Sequence, residues 1–123
     1  MLFRSLIALV DDLMTSSRLE SSVTIAGATI AFPTSAEETI AAVPTSTNST
    51  ALLLVGLATT RLPWESIVPA CKAVAQESGV ALRVIGFGPH MNLTLRERAL
   101  AAGVEEVWAN SRLMTDLPDL IAP

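Results

Sequence analysis

The sequence predicts an α/β fold, (βα)5, in which five short strands alternate with five helices, and three observations predict it. Apolar residues gather in five short segments, 6–10, 28–32, 51–57, 81–87 and 106–109, in which Val, Ile and Leu are prominent. These segments are largely apolar throughout rather than alternating, the pattern of a strand covered by helices on both faces. Between them lie stretches with helical spacing and helix-end signals.

Taken in order, residues 6–10 form a first strand that Asp11-Asp12 ends. Leu13, Leu19, Val23 and Ala26 then fall near one stripe of a first helix, weakened by its serines and threonines. After the second strand, Ser35 is placed to cap a helix, Glu38 completes a capping box, and Pro44 stops it. Residues 45–50 are a polar loop with no apolar anchor, expected to be the most mobile segment. A third helix opens near Pro63 and closes at Gly79, with Pro69 expected to kink it or delay its start. The fourth helix spans residues 93–102 and Gly103 closes it. The last begins after Asn110-Ser111 and carries Leu113, Leu117 and Leu120, its regularity limited by Pro118.

Strands joined through single helices run parallel, and right-handed crossovers place helices on both faces of the sheet. Five strands in that wiring take the order 2-1-3-4-5, a flavodoxin-like three-layer sandwich read here as one domain over residues 1–123. Ligands in such sheets sit beyond the carboxyl ends of the strands, where the first and third diverge. The residues expected there are Asp11-Asp12, 56–60, 86–90 and Asn110-Ser111.

Composition narrows the function classes. Half of the 123 residues are hydrophobic, which excludes intrinsic disorder and suffices for a core without staples. The longest apolar run, residues 51–58, is far short of the ~20 residues of a membrane span. A net charge of −4 and a single lysine offer no basic stripe, so nucleic acid is not an expected partner. Cys71, the one cysteine, can make neither an internal disulfide nor a cysteine metal cluster. Met1-Leu2-Phe3-Arg4 and the following apolar residues superficially suggest a signal peptide, but the run is too short and lacks a cleavage site. A cytoplasmic location is the expectation.

Two motifs in this frame carry a family resemblance. Ile7-Ala8-Leu9-Val10-Asp11-Asp12 and Ala99-Leu100-Ala101-Ala102-Gly103-Val104-Glu105-Glu106-Val107 resemble, in order and spacing, the first strand with its acidic pair and the fourth-helix-to-fifth-strand turn of response-regulator receiver domains. The likeness spans nearly the whole chain. It implies a phosphoacceptor aspartate ending the third strand, a hydroxyl residue ending the fourth and a lysine after the fifth. Here the acceptor position falls on Gly56, the lysine position on Asn110, and Gly86-Phe87-Gly88-Pro89 holds no Ser or Thr. A glycine has no oxygen to attack an acyl phosphate, and a neutral amide cannot balance phosphoryl charge. The resemblance is therefore to a pseudo-receiver, with no enzyme activity and no cofactor expected.

The remaining candidates each carry two readings. Asp11 and Asp12 are candidate Mg²⁺ ligands, or acids at a solvated strand end with one capping the first helix; the second is preferred because Gly56 removes a further carboxylate. His90 lacks a partner motif for catalysis and reads as an exposed loop residue, and Cys71 reads as a buried inert thiol. Gly86-Phe87-Gly88 reads as a flexible turn rather than a phosphate loop. In receivers the fourth helix, fifth strand and fifth helix form the face used for dimerisation and docking. Leu93, Leu100, Trp108, Leu113, Met114 and Leu117, beside Arg96 and Arg112, have an interface composition there, ordinary core packing being the alternative. The expected function is a non-phosphorylatable interaction module that self-associates or binds a signalling protein. The alternative is a small-ligand or nucleotide binder using the crevice between the first and third strands, where Asp11, Asp12, Thr59, Thr60 and His90 would converge.

Overall fold

A computed structural model of the chain describes residues 3, 5–88 and 93–121. Its elements alternate as expected: β1 (Ser5–Leu9), α1 (Leu13–Ile25), β2 (Ile30–Ala31), α2 (Ala36–Ala42), β3 (Thr50–Gly56), α3 (Trp64–Ser78), β4 (Ala81–Gly88), α4 (Leu93–Ala102), β5 (Glu106–Ala109) and α5 (Asn110–Ile121). The sheet is parallel throughout and ordered β2-β1-β3-β4-β5. This is the three-layer, flavodoxin-like α/β arrangement.

Strand pleating divides the apolar residues between two cores. Ile7, Leu9, Leu53 and Val55 point to the layer of α2, α3 and α4, where they meet Ile67, Val68, Cys71 and Ala99. Leu6, Ala8, Leu52, Leu54, Ile85 and Phe87 point to the opposite layer, where α1 contributes Leu19 and Val23 and α5 contributes Leu113, Leu117 and Ile121. β3 is buried at six of its seven residues, which is why its sequence shows no polar alternation.

Several elements depart from the expectation for local reasons. β2 is two residues rather than five, because the Ala28 N–H still bonds the Val23 carbonyl of the α1 terminus at 3.0 Å and Pro33 offers no donor beyond Phe32. Leu13 is 80% exposed: Asp12 caps α1, so Leu13 opens the helix at the sheet edge, outside the buried Leu19–Val23 stripe. α3 starts at Trp64 and runs on through Pro69, an exposed position between buried Val68 and Cys71. α5 begins at Asn110 itself and continues past Pro118. The polar loop before β3 is tied down, with the Asn48 N–H bonding the Gly79 carbonyl and the Ala81 N–H the Ser49 carbonyl, each at 3.0 Å. Gly86, Phe87 and Gly88 are not a turn: they are β4 residues paired with Val107, Trp108 and Ala109. A Cβ on Gly86 would lie 3.1 Å from both the Leu57 and Val104 side chains, so glycine there admits close packing.

The expected interface face is largely core. Trp108, Leu113 and Leu117 lie in the α1/α5 layer with at most 4% exposure, and Met114 is half-buried against it. α5 has one apolar stripe, and the sheet uses it. Arg112 stacks 4.1 Å over the Trp108 ring and bonds Asp116, so it too is engaged within the chain. Leu93 and Leu100 alone of the six are exposed, at 71% and 43%. Leu117→Ala is therefore expected to destabilise the fold by about 2–5 kcal/mol in urea unfolding. Leu93→Ala should stay within about 0.5 kcal/mol of wild type in the same measurement.

Candidate functional site

The crevice where β1 and β3 diverge has a volume of about 250 Å³ and is lined by Val10, Asp11, Asp12, Gly56, Phe87 and Asn110, among others. It lies at the carboxyl edge of the sheet, where the topology places ligand sites. The structure thus gathers Asp11, Asp12, Gly56, Thr59 and Asn110 in one place. His90 and Pro89 lie outside the described residues.

Each acid has a defined task. Asp12 caps α1, its carboxylate accepting from the Thr15 N–H at 2.9 Å and from the Thr15 hydroxyl. Asp11 reaches across to the loop after β3, where the same oxygen accepts from the Thr60 N–H at 3.0 Å, the Arg61 N–H at 3.2 Å and the Thr60 hydroxyl at 3.4 Å. Both carboxyls are held below the ordinary 3.8, Asp11 chiefly by the Thr60 and Arg61 amides and Asp12 chiefly by the Thr15 hydroxyl and amide. Both are anionic at neutral pH.

Gly56 ends β3 beside Asp11. A Cβ there would lie 3.0 Å from the Thr59 hydroxyl oxygen and 3.1 Å from both the Leu9 carbonyl oxygen and Val10 Cγ1. A Cβ there would require these neighbours to give by a few tenths of an ångström. Thr59, 8% exposed, donates its hydroxyl to the Leu9 carbonyl at 3.2 Å and so closes β1 against the β3 loop. Sequence reading located Thr59 and Thr60 at this edge but not these bonds, which link residues about fifty positions apart. The tandem hydroxyls directly after an apolar strand were the available signal.

The residues do not fit the magnesium site for which Asp11 and Asp12 were candidate ligands. Such a site takes oxygen ligands, carboxylates foremost. Here one carboxylate binds two backbone amides, the other caps a helix, and Gly56 contributes no oxygen. Among the described residues, no group of three or more His, Cys, Asp or Glu is placed to hold a metal ion.

Asn110 opens α5 and lines the crevice. Its Oδ1 is buried with no hydrogen-bond partner among the described residues. The one lysine is distant in role: Lys72 on α3 donates to the Gly103 carbonyl at 2.9 Å, behind α4. Cys71 is buried, which pushes its thiol up to about 11 and leaves it protonated and unreactive at neutral pH. Among the described residues, no helix is long and apolar enough to cross a membrane. Compared with protein-family models and with curated proteins, the chain finds no match to either.

Two predictions follow from the site. Because both aspartates have folded-state pKa values below 3.8, their contribution to stability is complete above that value and is lost as pH falls through the lower folded values. The thermal midpoint should drop steeply below pH 3.8, and Asp11→Asn/Asp12→Asn should start lower at neutral pH with a shallower acid limb. Gly56→Ala should destabilise by about 1–3 kcal/mol in urea unfolding, because the methyl displaces Thr59 or the Leu9 carbonyl.

Proposed function

We propose that the chain is a receiver-like interaction module of a signalling or regulatory system, one that takes up no phosphoryl group and acts by binding protein, a second copy of itself included. The observation that supports this most is Gly56 at the end of β3, which offers no acceptor oxygen and has the Thr59 hydroxyl, the Leu9 carbonyl and Val10 packed within 3.1 Å of where a Cβ would stand. A scaffold with its reactive end converted into a structural tie still offers its outer surface. The charge agrees: two ionised carboxylates and a neutral Asn110 line the crevice, a poor setting for a phosphoryl dianion.

The test is incubation with Mg²⁺ and either beryllofluoride or a small acyl phosphate donor, followed by intact mass and amide spectra. The reading requires unchanged mass and no spectral change. A stoichiometric adduct, or shifts centred on Asp11 and Asp12, overturns it.

One observation favours a second reading, a small-ligand site in the β1/β3 crevice. The buried Asn110 Oδ1 is an acceptor that a ligand N–H or O–H would satisfy. Thermal shift against a panel of nucleotides, flavins and metals decides it: a midpoint raised by one compound and lost in Asn110→Ala supports this reading, and flat curves remove it.

A further inference from the structure

The lining of the β1/β3 crevice is rich in acceptors and poor in donors. Among the described residues it holds the carboxylates of Asp11 and Asp12 and no lysine, arginine or histidine. Both acids are exposed, and both are ionised at neutral pH. The Thr60 and Arg61 bonds all fall on Oδ2 of Asp11, which leaves Oδ1 of that carboxylate without a donor among the described residues. The Thr15 bonds likewise fall on Oδ2 of Asp12. Asn110, from a different element, adds a further acceptor: its Oδ1 is buried and without a donor, although the residue lines the crevice. An acceptor shut away from water and from protein donors alike is unfavourable, and a donor brought in by a ligand relieves it. The two threonine hydroxyls of the lining cannot serve, since Thr15 donates to Asp12 and Thr59 to the Leu9 carbonyl. Val10 and Phe87 supply an apolar wall.

Extending the small-ligand reading of this crevice, we infer that it takes a compact organic ammonium ion, the protonated primary amine of a small molecule, whose N–H groups donate to the open acceptors of Asp11, Asp12 and Asn110. The misfit for magnesium is no bar to this. Mg²⁺ demands near-octahedral oxygens at about 2.0–2.1 Å, whereas an ammonium is satisfied by acceptors at about 2.7–2.9 Å from several directions. Ligands carrying phosphate would meet two like charges. The volume of about 250 Å³ lies below the roughly 300–1,000 Å³ of pockets for drug-sized ligands, which favours an amine of a few carbons over a nucleotide or flavin. Water screens both exposed acids, so the affinity is weak and falls as salt rises.

Titration of the full chain at neutral pH, followed in two-dimensional amide spectra, tests the site with four small probes: n-propylammonium, tetramethylammonium, n-propanol and propionate. The expected result is a saturable n-propylammonium shift at the crevice amides, those of Asp12 and Gly56 among them. Tetramethylammonium, which has no N–H, should bind roughly tenfold more weakly, and propanol and propionate not at all. Asp12→Asn removes one charge but keeps a residue that caps helices, so it should fold and bind the amine roughly fivefold more weakly. Asn110→Ala should erase the preference for n-propylammonium over tetramethylammonium, a selectivity that a merely structural role would not move. Equal binding of the two cations overturns the ammonium site, as does an unchanged selectivity in Asn110→Ala or an unchanged affinity in Asp12→Asn. Saturable binding of propanol or propionate in place of the amine overturns it too, yet leaves the small-ligand reading standing. A crevice that no probe, nucleotide or flavin perturbs removes that reading as well.

Discussion

The ends of β1 and β3 are neighbours in the sheet, and their chains leave it in opposite senses. Something must hold the two exits together. Here Thr59 donates to the Leu9 carbonyl, and the Asp11 carboxylate gathers the Thr60 and Arg61 amides on the far side of the gap. The close approach requires Gly56, because any Cβ would press on both the hydroxyl and the carbonyl. One residue without a side chain, one buried hydroxyl and one carboxylate thus fix the geometry of the whole carboxyl edge. The same three groups decide its chemistry. The carboxylate is spent on amides, the hydroxyl on a carbonyl, and β3 ends at Gly56 with no side chain.

Electrostatics follow from that arrangement. Hydrogen bonds from amides favour the ionised form of Asp11 and Asp12, so the crevice is anionic over the neutral range. Asn110 in the crevice lining is neutral, and Lys72 serves the α4 terminus instead. The edge of the sheet is therefore negatively charged, and the exposed large apolar residues lie on α1 (Leu13, Met14 and Ile25) as well as on α4 (Leu93 and Leu100). Those helices differ from α5 in kind. α5 has a single buried stripe, whereas α1 and α4 each carry apolar residues outside the stripe that the core buries.

Much of this was legible from the chain itself. Continuous apolar runs announced a sheet covered on both faces, and the crossover rules then left one strand order to expect. Ser35 with Glu38, Gly79 and Pro44 marked helix ends where the structure has them, although Glu38 turns its carboxylate to Thr34 rather than to Ser35. That one of Asp11 and Asp12 caps α1 was also readable, and it is Asp12. What could not be read depended on contacts distant in sequence. Nothing local shows that the Thr60 amide is the partner of Asp11, or that the loop before β3 is held by Gly79. Trp108, Leu113 and Leu117 could be read either as an interface, by composition and resemblance, or as ordinary packing of the fifth helix, and the α1/α5 layer buries them. Leu13 erred the other way, since a stripe counted from the cap cannot reveal that the first turn projects beyond the sheet.

The most direct test of the account is a titration of the Asp11 side-chain carboxyl by carbon-detected NMR, with and without Mg²⁺. If the carboxylate is tied to the Thr60 and Arg61 amides, its midpoint lies below 3.8 and excess Mg²⁺ at neutral pH leaves its resonance in place. A midpoint at or above 3.8, or a saturable Mg²⁺-dependent shift of Asp11, would mean that the carboxylate is free to act as a ligand and that the strand-end tie is not what holds this edge together.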